Sequence, residues 1–117
     1  MVKSPFDRGD IISVCLNPTV GKEIQGERRP ALVLSSRAFH QLGFMKIAPI
    51  TQGNAEMARE NGFAVTLSGT GCKTQGIILA YQTRTIDFRN RDAKKLESAP
   101  DYIVSEVQDI VESILRD

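Results

Sequence analysis

The sequence is poor in the residues that metal sites and disulfides require. Its 117 residues include one histidine, His40, and two widely separated cysteines, Cys15 and Cys72, with no CxxC pair. A zinc motif of the HxxxH kind is therefore excluded, and neither cysteine has a neighbouring histidine in the sequence with which to form a nucleophilic pair. We interpret His40 as a surface or packing residue and Cys15 as a small core residue. We expect no metal, no cofactor and no disulfide framework.

Long apolar runs and glycine-rich phosphate loops are also missing. No apolar run approaches the roughly 20 residues that span a bilayer, and residues 1–10 lack the apolar stretch of a signal peptide. The GxGxxG and Walker lysine motifs are absent, which argues against dinucleotide and P-loop nucleotide binding. With 41% apolar and 25% charged residues, we expect one cytoplasmic globular domain over residues 1–117 that does not associate with membranes.

The net charge of +1 conceals an uneven distribution. Residues 1–96 carry 14 Lys or Arg against 8 Asp or Glu, whereas residues 97–117 carry one Arg against 6 acidic residues. A basic body favours a polyanionic partner. The acidic segment is also what a solvated helix face would give, and charge alone does not decide between the two.

Short apolar segments separated by turns predict a small α+β domain. Strands are expected at 11–16, 31–35, 44–50, 63–67, 77–81 and 83–87, with a short helix over 36–43 capped by Ser36. Residues 51–62 are polar, with a single helical turn at 56–59 at most. Apolar residues from Ile103 to Leu115 recur at i, i+3 and i+4, which predicts an amphipathic C-terminal helix beginning near Ser98. We expect a barrel-like sheet with this helix packed on it.

With metal and nucleotide motifs absent, the charged residues at 21–36 are the strongest candidates for a functional site. A polar loop containing Glu23 and Glu27 ends at Arg28 and Arg29, and an apolar strand follows Pro30. The planar guanidinium group matches phosphate and stays charged, so the two arginines could form a phosphate clamp. They could equally be paired with the loop carboxylates, and the sequence leaves both interpretations open.

A resemblance to a known family becomes visible across nearly the whole chain, from about Arg8 to the C-terminal helix. The order RGDI, LNPTVGKEIQGERRPALVLS, APITQG, GFAVTLSG and GIILAYQTRTID resembles the MazF/PemK toxin endoribonucleases, in particular the ChpB-like members. The resemblance rests on the spaced combination of the P-T-x-G-x-E loop, the R-P strand and the P-x-T-Q-G turn. No single one of these motifs would be specific enough.

This resemblance implies a small SH3-like barrel of the CcdB/MazF type with a long C-terminal helix, and a homodimer. It implies the toxin of a type II toxin–antitoxin system that inhibits growth. The activity would be metal-independent, sequence-specific cleavage of single-stranded RNA, chiefly mRNA, giving a 2′,3′-cyclic phosphate and a 5′-hydroxyl. A cognate antitoxin would block the site with an extended acidic tail.

Individual roles follow from the same resemblance. Arg29 and Thr51 fall on the family's catalytic arginine and threonine, and Glu23 falls on the acid of its loop, where we expect it to act as the base. Gln82 matches a glutamine after a later strand. The residues predicted to contact RNA are Lys22, Gln25, Arg28, Gln52, Gln82 and Arg84.

The chain departs from some PemK-like members at three positions. Those members have histidine, arginine and aspartate where this chain has Lys22, Leu79 and Tyr81. One alternative is therefore an RNA- or antitoxin-binding module that has lost catalysis. A second alternative is a non-enzymatic, gyrase-binding toxin of the CcdB type, although the terminal SILRD lacks the apolar and aromatic ending expected of one.

Overall fold

The computed structural model describes residues 4–16, 28–53 and 56–116. They form an α+β fold, as expected, with seven strands and three helices. The strands are β1 Asp10–Cys15, β2 Arg28–Val33, β3 Met45–Thr51, β4 Ala64–Thr66, β5 Ile77–Leu79, β6 Arg84–Ile86 and β7 Lys94–Ser98; the helices are α1 Arg37–His40, α2 Glu56–Glu60 and α3 Asp101–Arg116.

The sheet is antiparallel throughout and bends around β3. Its strand order is β4-β5-β3-β2-β1-β7, and β6 pairs with β3 off this path. Strand β5 pairs with the end of β3 at Ile50 and Thr51, whereas β6 pairs with its beginning at Met45–Ile47. A 3₁₀ turn, Ala80–Gln82, redirects the chain between the two. The fold is the expected small barrel type with a C-terminal helix, but the described strands do not close into a complete barrel.

Alternation along β2 divides the interior into two cores. Leu32 lies in one core with Ile50, Ile78 and residues of α3, whereas Ala31 and Val33 lie in the other. This two-sided burial explains the uninterrupted apolar run of the strand, as predicted. Each large side chain buried in this way stabilises the fold by about 1.5 to 3 kcal/mol.

Helix α3 closes the first core with the predicted apolar stripe. Ile103, Val104 and Val107 are buried, while Glu106, Asp109 and Glu112 face outward. The stripe fades in the last turn, where Ile114 and Leu115 are 45% and 78% exposed although the periodicity places them on the apolar face. Ser98 does not cap the helix as predicted, because it is the last residue of β7 and the helix begins three residues later.

Two other differences from the sequence prediction concern strands. Strand β2 begins at Arg28 rather than after Pro30, so both arginines are strand residues; each has a register partner on β1, Cys15 for Arg28 and Val14 for Arg29. Strand β7 was not predicted, because its residues are largely exposed and polar and show no apolar alternation. Pairing with β1 defines this strand, so its own sequence carries little signal.

Polar residues at the Val33 end of β2 form a closed network. His40 is fully buried. Its Nε2 lies 2.7 Å from Ser35 Oγ, and its Nδ1 lies 3.1 Å from the Phe6 carbonyl and 3.3 Å from Ser4 Oγ. Burial lowers the pKa of His40 below its ordinary value, although the hydrogen bond to Phe6 opposes the shift. His40 is therefore a packing residue, as one of the predicted alternatives had it.

Both cysteines are free, and Cys15 is not the fully buried core residue that was predicted. Cys72 is buried, whereas Cys15 is only half-buried, with its Sγ 3.8 Å from Arg28 Nη1. In the part of the chain that the structure describes, no helix has the length and apolar character needed to cross a bilayer.

Candidate active site

Arg28 and Arg29 are adjacent but differ completely in their surroundings, because successive strand residues point to opposite faces. The Arg28 guanidinium donates to Ser13 Oγ at 2.8 Å and to the Ser13 carbonyl at 2.9 Å. It also donates to the Asp92 carboxylate at 2.8 Å and the Asp92 carbonyl at 2.6 Å. Arg28 is therefore tied to the fold through Asp92, a partner that the sequence did not indicate.

Arg29 is exposed at the end of the opposite face. Its side chain makes no hydrogen bond or ion pair with any of the residues that the structure describes. An arginine placed in this way keeps its full set of donors for an external group. Of the two adjacent arginines, Arg29 is the one whose donors have no partner among the described residues.

The register of β2 and β3 brings the end of β3 to Arg29. Ala31 pairs with Pro49 and Val33 with Ile47. Beyond the Ala31–Pro49 pair, β2 extends back to Arg29 and Arg28 and β3 extends forward to Thr51. The two residues singled out from distant parts of the sequence thus lie at the same end of the β2–β3 pair, which forms the rim of the sheet.

Thr51 is held in place from both sides by glycines. Its Oγ1 accepts a hydrogen bond from the Gly53 N–H at 3.0 Å, so the hydroxyl proton remains able to donate to another group. Gly76, with φ +133°, approaches so closely that a Cβ there would lie 2.7 Å from the Thr51 carbonyl oxygen. Only glycine permits this approach.

Three other predicted contact residues lie in segments that follow, contact or pair with β3. Gln52 is exposed, with its Nε2 3.5 Å from the Gln75 carbonyl. Gln82 is exposed in the 3₁₀ turn. Arg84 is half-buried and donates to the Leu16 carbonyl at 3.3 Å. Lys22, Glu23 and Gln25, which complete the predicted set, lie outside the described residues.

Arg91 is a neighbour that the sequence did not single out. Its Nη1 donates to the Cys15 carbonyl at 3.3 Å and the Leu16 carbonyl at 2.9 Å. Together with Arg84 it binds the end of β1, immediately before residues 17–27, which carry the predicted base. The basic run RNRDAKK was visible in the sequence, but its contact with β1 was not.

A small polar cavity of about 230 Å³ lies beside Thr51. It is lined by Gln52, Thr66, Ser68, Gln75, Gly76 and Ile77, all uncharged. Of these residues only Gln52 was predicted from the sequence to belong to the site. The available signal was the tripeptide TQG, which occurs at residues 51–53 and again at 74–76. The two copies meet in the structure, since Gly76 packs on Thr51 and the amide of Gln52 approaches Gln75.

Leu79 and Tyr81, two of the three positions where the chain departs from some PemK-like members, differ in exposure. Leu79 is buried in the core at 9% exposure, whereas Tyr81 is 46% exposed. Among the described residues no group of three or more His, Cys, Asp or Glu side chains could hold a metal ion. The rim therefore offers a cation at Arg29, a hydroxyl donor at Thr51 and a neutral polar cavity, a set suited to a phosphodiester with an attached polar group.

Comparison with known proteins agrees with this geometry. The sequence profile of a family described as PemK-like, MazF-like toxin of type II toxin-antitoxin system matches residues 7–115. The chain is 47% identical over 104 residues to the endoribonuclease toxin ChpB of Escherichia coli K12, covering 89% of each chain. It is 41% identical over 114 residues to endoribonuclease PemK of Escherichia coli, covering 97% of this chain and 84% of PemK.

A solved structure gives the same result for the fold. The crystal structure of MazE–MazF (Form-II) from Deinococcus radiodurans superposes with a TM-score of 0.77 at 35% identity, covering 93% of this chain and 94% of the matched chain.

Proposed function

We propose that this chain, which belongs to the family of PemK-like, MazF-like toxins of type II toxin–antitoxin systems, is an endoribonuclease that cleaves single-stranded RNA, chiefly mRNA. The observation that supports the proposal is the exposed Arg29 at the start of β2, at the same end of the β2–β3 pair as Thr51. We further propose that residues 1–117 act as one cytoplasmic domain.

The reaction is a transesterification at one phosphodiester. The ribose 2′-oxygen attacks the adjacent phosphorus as its proton passes to a base, and the bond from phosphorus to the 5′-oxygen of the next nucleotide breaks. The departing oxygen takes up a proton. The products are a 2′,3′-cyclic phosphate and a 5′-hydroxyl, and the reaction consumes no water.

Arg29 and Thr51 stabilise the negative charge that develops on the phosphate oxygens. The exposed guanidinium of Arg29 offers two parallel donors to them. The Thr51 hydroxyl, which already accepts from Gly53, donates its proton to one of the same oxygens. A preorganised donor of this kind contributes about 2.7 to 4 kcal/mol to lowering the barrier.

Proton transfer is assigned to Glu23, because a carboxylate accepts a proton at neutral pH whereas a guanidinium does not. The remaining contacts proposed for the RNA come from Lys22, Gln25, Gln52 and Gln82. Arg28 and Arg84 add positive charge near the rim, while their hydrogen bonds hold Asp92, Ser13 and Leu16.

The proposed partners follow from the relatives. MazE–MazF complexes are among the matched structures, and we propose that this chain likewise forms a homodimer that a cognate antitoxin inhibits. An acidic extended segment would suit the basic body of residues 1–96.

One assay tests the activity. The purified protein is incubated with a mixed-sequence RNA in EDTA, and the new 5′ ends are mapped and tested for a 5′-hydroxyl. We expect discrete cleavage sites, and an oligonucleotide carrying a single 2′-deoxyribose at the scissile position should remain intact. Cleavage of that oligonucleotide would contradict the 2′-oxygen mechanism, and retained binding without cleavage would favour the binding module.

A further inference from the structure

The described sheet is open, and its two edge strands are β4 and β7. The strand order runs from β4 through β5, β3, β2 and β1 to β7. Thr51 lies beyond the Ala31–Pro49 pair of β2 and β3, and it pairs with Ile77 of β5. The position of Thr51 relative to Arg29 on β2 therefore depends on how firmly the β4–β5 hairpin is held against the rest of the sheet.

The β4–β5 loop, residues 67–76, links this hairpin to Thr51. The two recorded pairs between β3 and β5 are Ile50 with Ile78 and Thr51 with Ile77. The Leu67 N–H donates to the Gly76 carbonyl at 2.9 Å, which closes the loop. Gly76 then lies directly against the Thr51 carbonyl. Because the contact is this close, a displacement of the loop is transmitted to Thr51.

Glu97, on β7, binds this loop with both carboxylate oxygens. Its Oε1 accepts from the Lys73 N–H at 3.0 Å, and its Oε2 accepts from the Thr74 N–H at 2.6 Å. Hydrogen bonds from the side chain and the backbone of Thr74, and from the backbone of Lys73, hold the pKa of the Glu97 carboxyl below its ordinary value. The group is therefore an ionised acceptor at neutral pH, and hydrogen bonds to an ionised acceptor are roughly twice as strong as neutral ones.

The backbone of Glu97 belongs to the half of the sheet that carries Arg29. Glu97 pairs with Ile11 on β1, and Ile11 is followed on β1 by residues that pair with the beginning of β2. The Glu97 side chain thus spans the opening between β7 and the β4–β5 loop that strand pairing leaves. It joins the part of the sheet that holds Thr51 to the part that holds Arg29.

We propose that Glu97 is a positioning residue for RNA cleavage, which fastens the β4–β5 loop to β7 and so keeps the Thr51 hydroxyl in place relative to Arg29. The proposal rests on the proposed function, because it takes Thr51 and Arg29 as the groups at the reacting phosphate. Glu97 acts through the backbone of Lys73 and Thr74, and its role requires no contact with the RNA.

Cleavage kinetics of four proteins test this role. Glu97→Ala should lower kcat by about 10- to 100-fold with little change in KM, because a misplacement of roughly 1 Å can cost about 100-fold in rate. Glu97→Gln keeps one acceptor oxygen and should lie between Glu97→Ala and the wild type. Lys95→Ala is the matched control, since it removes another side-chain contact of β7, the ion pair with Asp10 of β1 at 3.3 Å. Its kcat per folded molecule should not change.

A double-mutant cycle separates positioning through Thr51 from a general loss of structure. In a Thr51→Ala background, Glu97→Ala should reduce kcat little further, because the hydroxyl that it positions is absent. Circular dichroism gives the folded fraction of each variant. An equal reduction in both backgrounds, or a full kcat in Glu97→Ala, would overturn the proposal. Glu97→Gln takes the place of Glu97→Ala in the cycle if Glu97→Ala does not fold.

Amide NMR measures the positioning of Thr51 without RNA cleavage. The Gly53 N–H donates to Thr51 Oγ1 at 3.0 Å, so its resonance reports on the hydroxyl. Glu97→Gln should shift the resonances of Thr74 and Gly53, whereas Lys95→Ala should leave that of Gly53 in place. An unchanged Gly53 resonance in Glu97→Gln would reject the proposal whatever the cleavage assay gives. A shifted Gly53 resonance in a protein that cleaves no RNA would support the positioning of Thr51 by Glu97 and reject the proposed function alone.

Discussion

The polar side chains at the two ends of the β2–β3 pair differ in burial and in whether they have hydrogen-bond partners. At the Val33 end, His40 is buried between Ser4 and Ser35 and each of its ring nitrogens has a partner. At the other end, Arg29 is exposed and unpaired among the described residues, and Gln52 makes one long contact. No buried side-chain nitrogen or oxygen in the described segments lacks a partner. Polar groups at the first end stabilise the fold, whereas Arg29 and Gln52 at the second end remain available for a ligand.

The largest expected effect is on activity at the open end. Arg29→Ala should lower the rate of RNA cleavage about 100-fold or more, because it removes a preorganised donor to the reacting phosphate. The free energy of unfolding should change by no more than about 0.5 kcal/mol, since the side chain is exposed and unpaired. Cleavage rates and urea denaturation give the two values. Arg116→Ala, at the exposed end of α3, is the matched control, and full activity of Arg29→Ala would remove Arg29 from the mechanism.

At the closed end the effect should fall on stability instead. His40→Ala leaves a cavity and removes the partner of Ser35 Oγ, so we expect a loss of about 2 to 4 kcal/mol in the free energy of unfolding. The rate of cleavage per folded molecule should be unchanged. It is obtained by dividing the measured cleavage rate by the folded fraction, which circular dichroism gives. A selective loss of cleavage in fully folded His40→Ala would break the contrast between the two ends.

Two glycine variants test whether cleavage depends on the position of Thr51. Gly76→Ala adds a methyl group that would lie 2.7 Å from the Thr51 carbonyl, whereas a Cβ at Gly71 meets no atom within 4 Å. Both glycines have positive φ, so both variants should lose about 1 to 3 kcal/mol of stability through backbone strain. Only Gly76→Ala should also slow cleavage, because only it displaces Thr51. Equal activity of the two folded variants would contradict a role for the position of Thr51.

The smallest effect is the pH dependence of the closed end. Burial lowers the pKa of His40, so on acidification the unfolded chain binds a proton before the folded protein does. Stability should be greatest above the ordinary histidine pKa of about 6.5 and fall below it, by at most about 1.4 kcal/mol per pH unit. Urea midpoints measured across this range give the slope, and His40→Gln should flatten it. The pKa values of Asp7 and Glu97 are also lowered, but these carboxylates lose their contribution to stability only at the lower pH where carboxylates titrate. An unchanged slope in His40→Gln would show that a group other than His40 is responsible.

The sequence by itself determined most of the local elements, β7 excepted, together with the family and the residue types at the rim. The continuous apolar run of β2 predicted a strand covered on both faces, and the i, i+3, i+4 spacing predicted α3, because these periodicities follow from local geometry. Only the tertiary structure decided which polar residue does what. Adjacent arginines carry the same local signal, yet Asp92, far along the chain, binds Arg28 and leaves Arg29 open. Strand register likewise united the two TQG segments, and register depends on long-range pairing that no local pattern encodes.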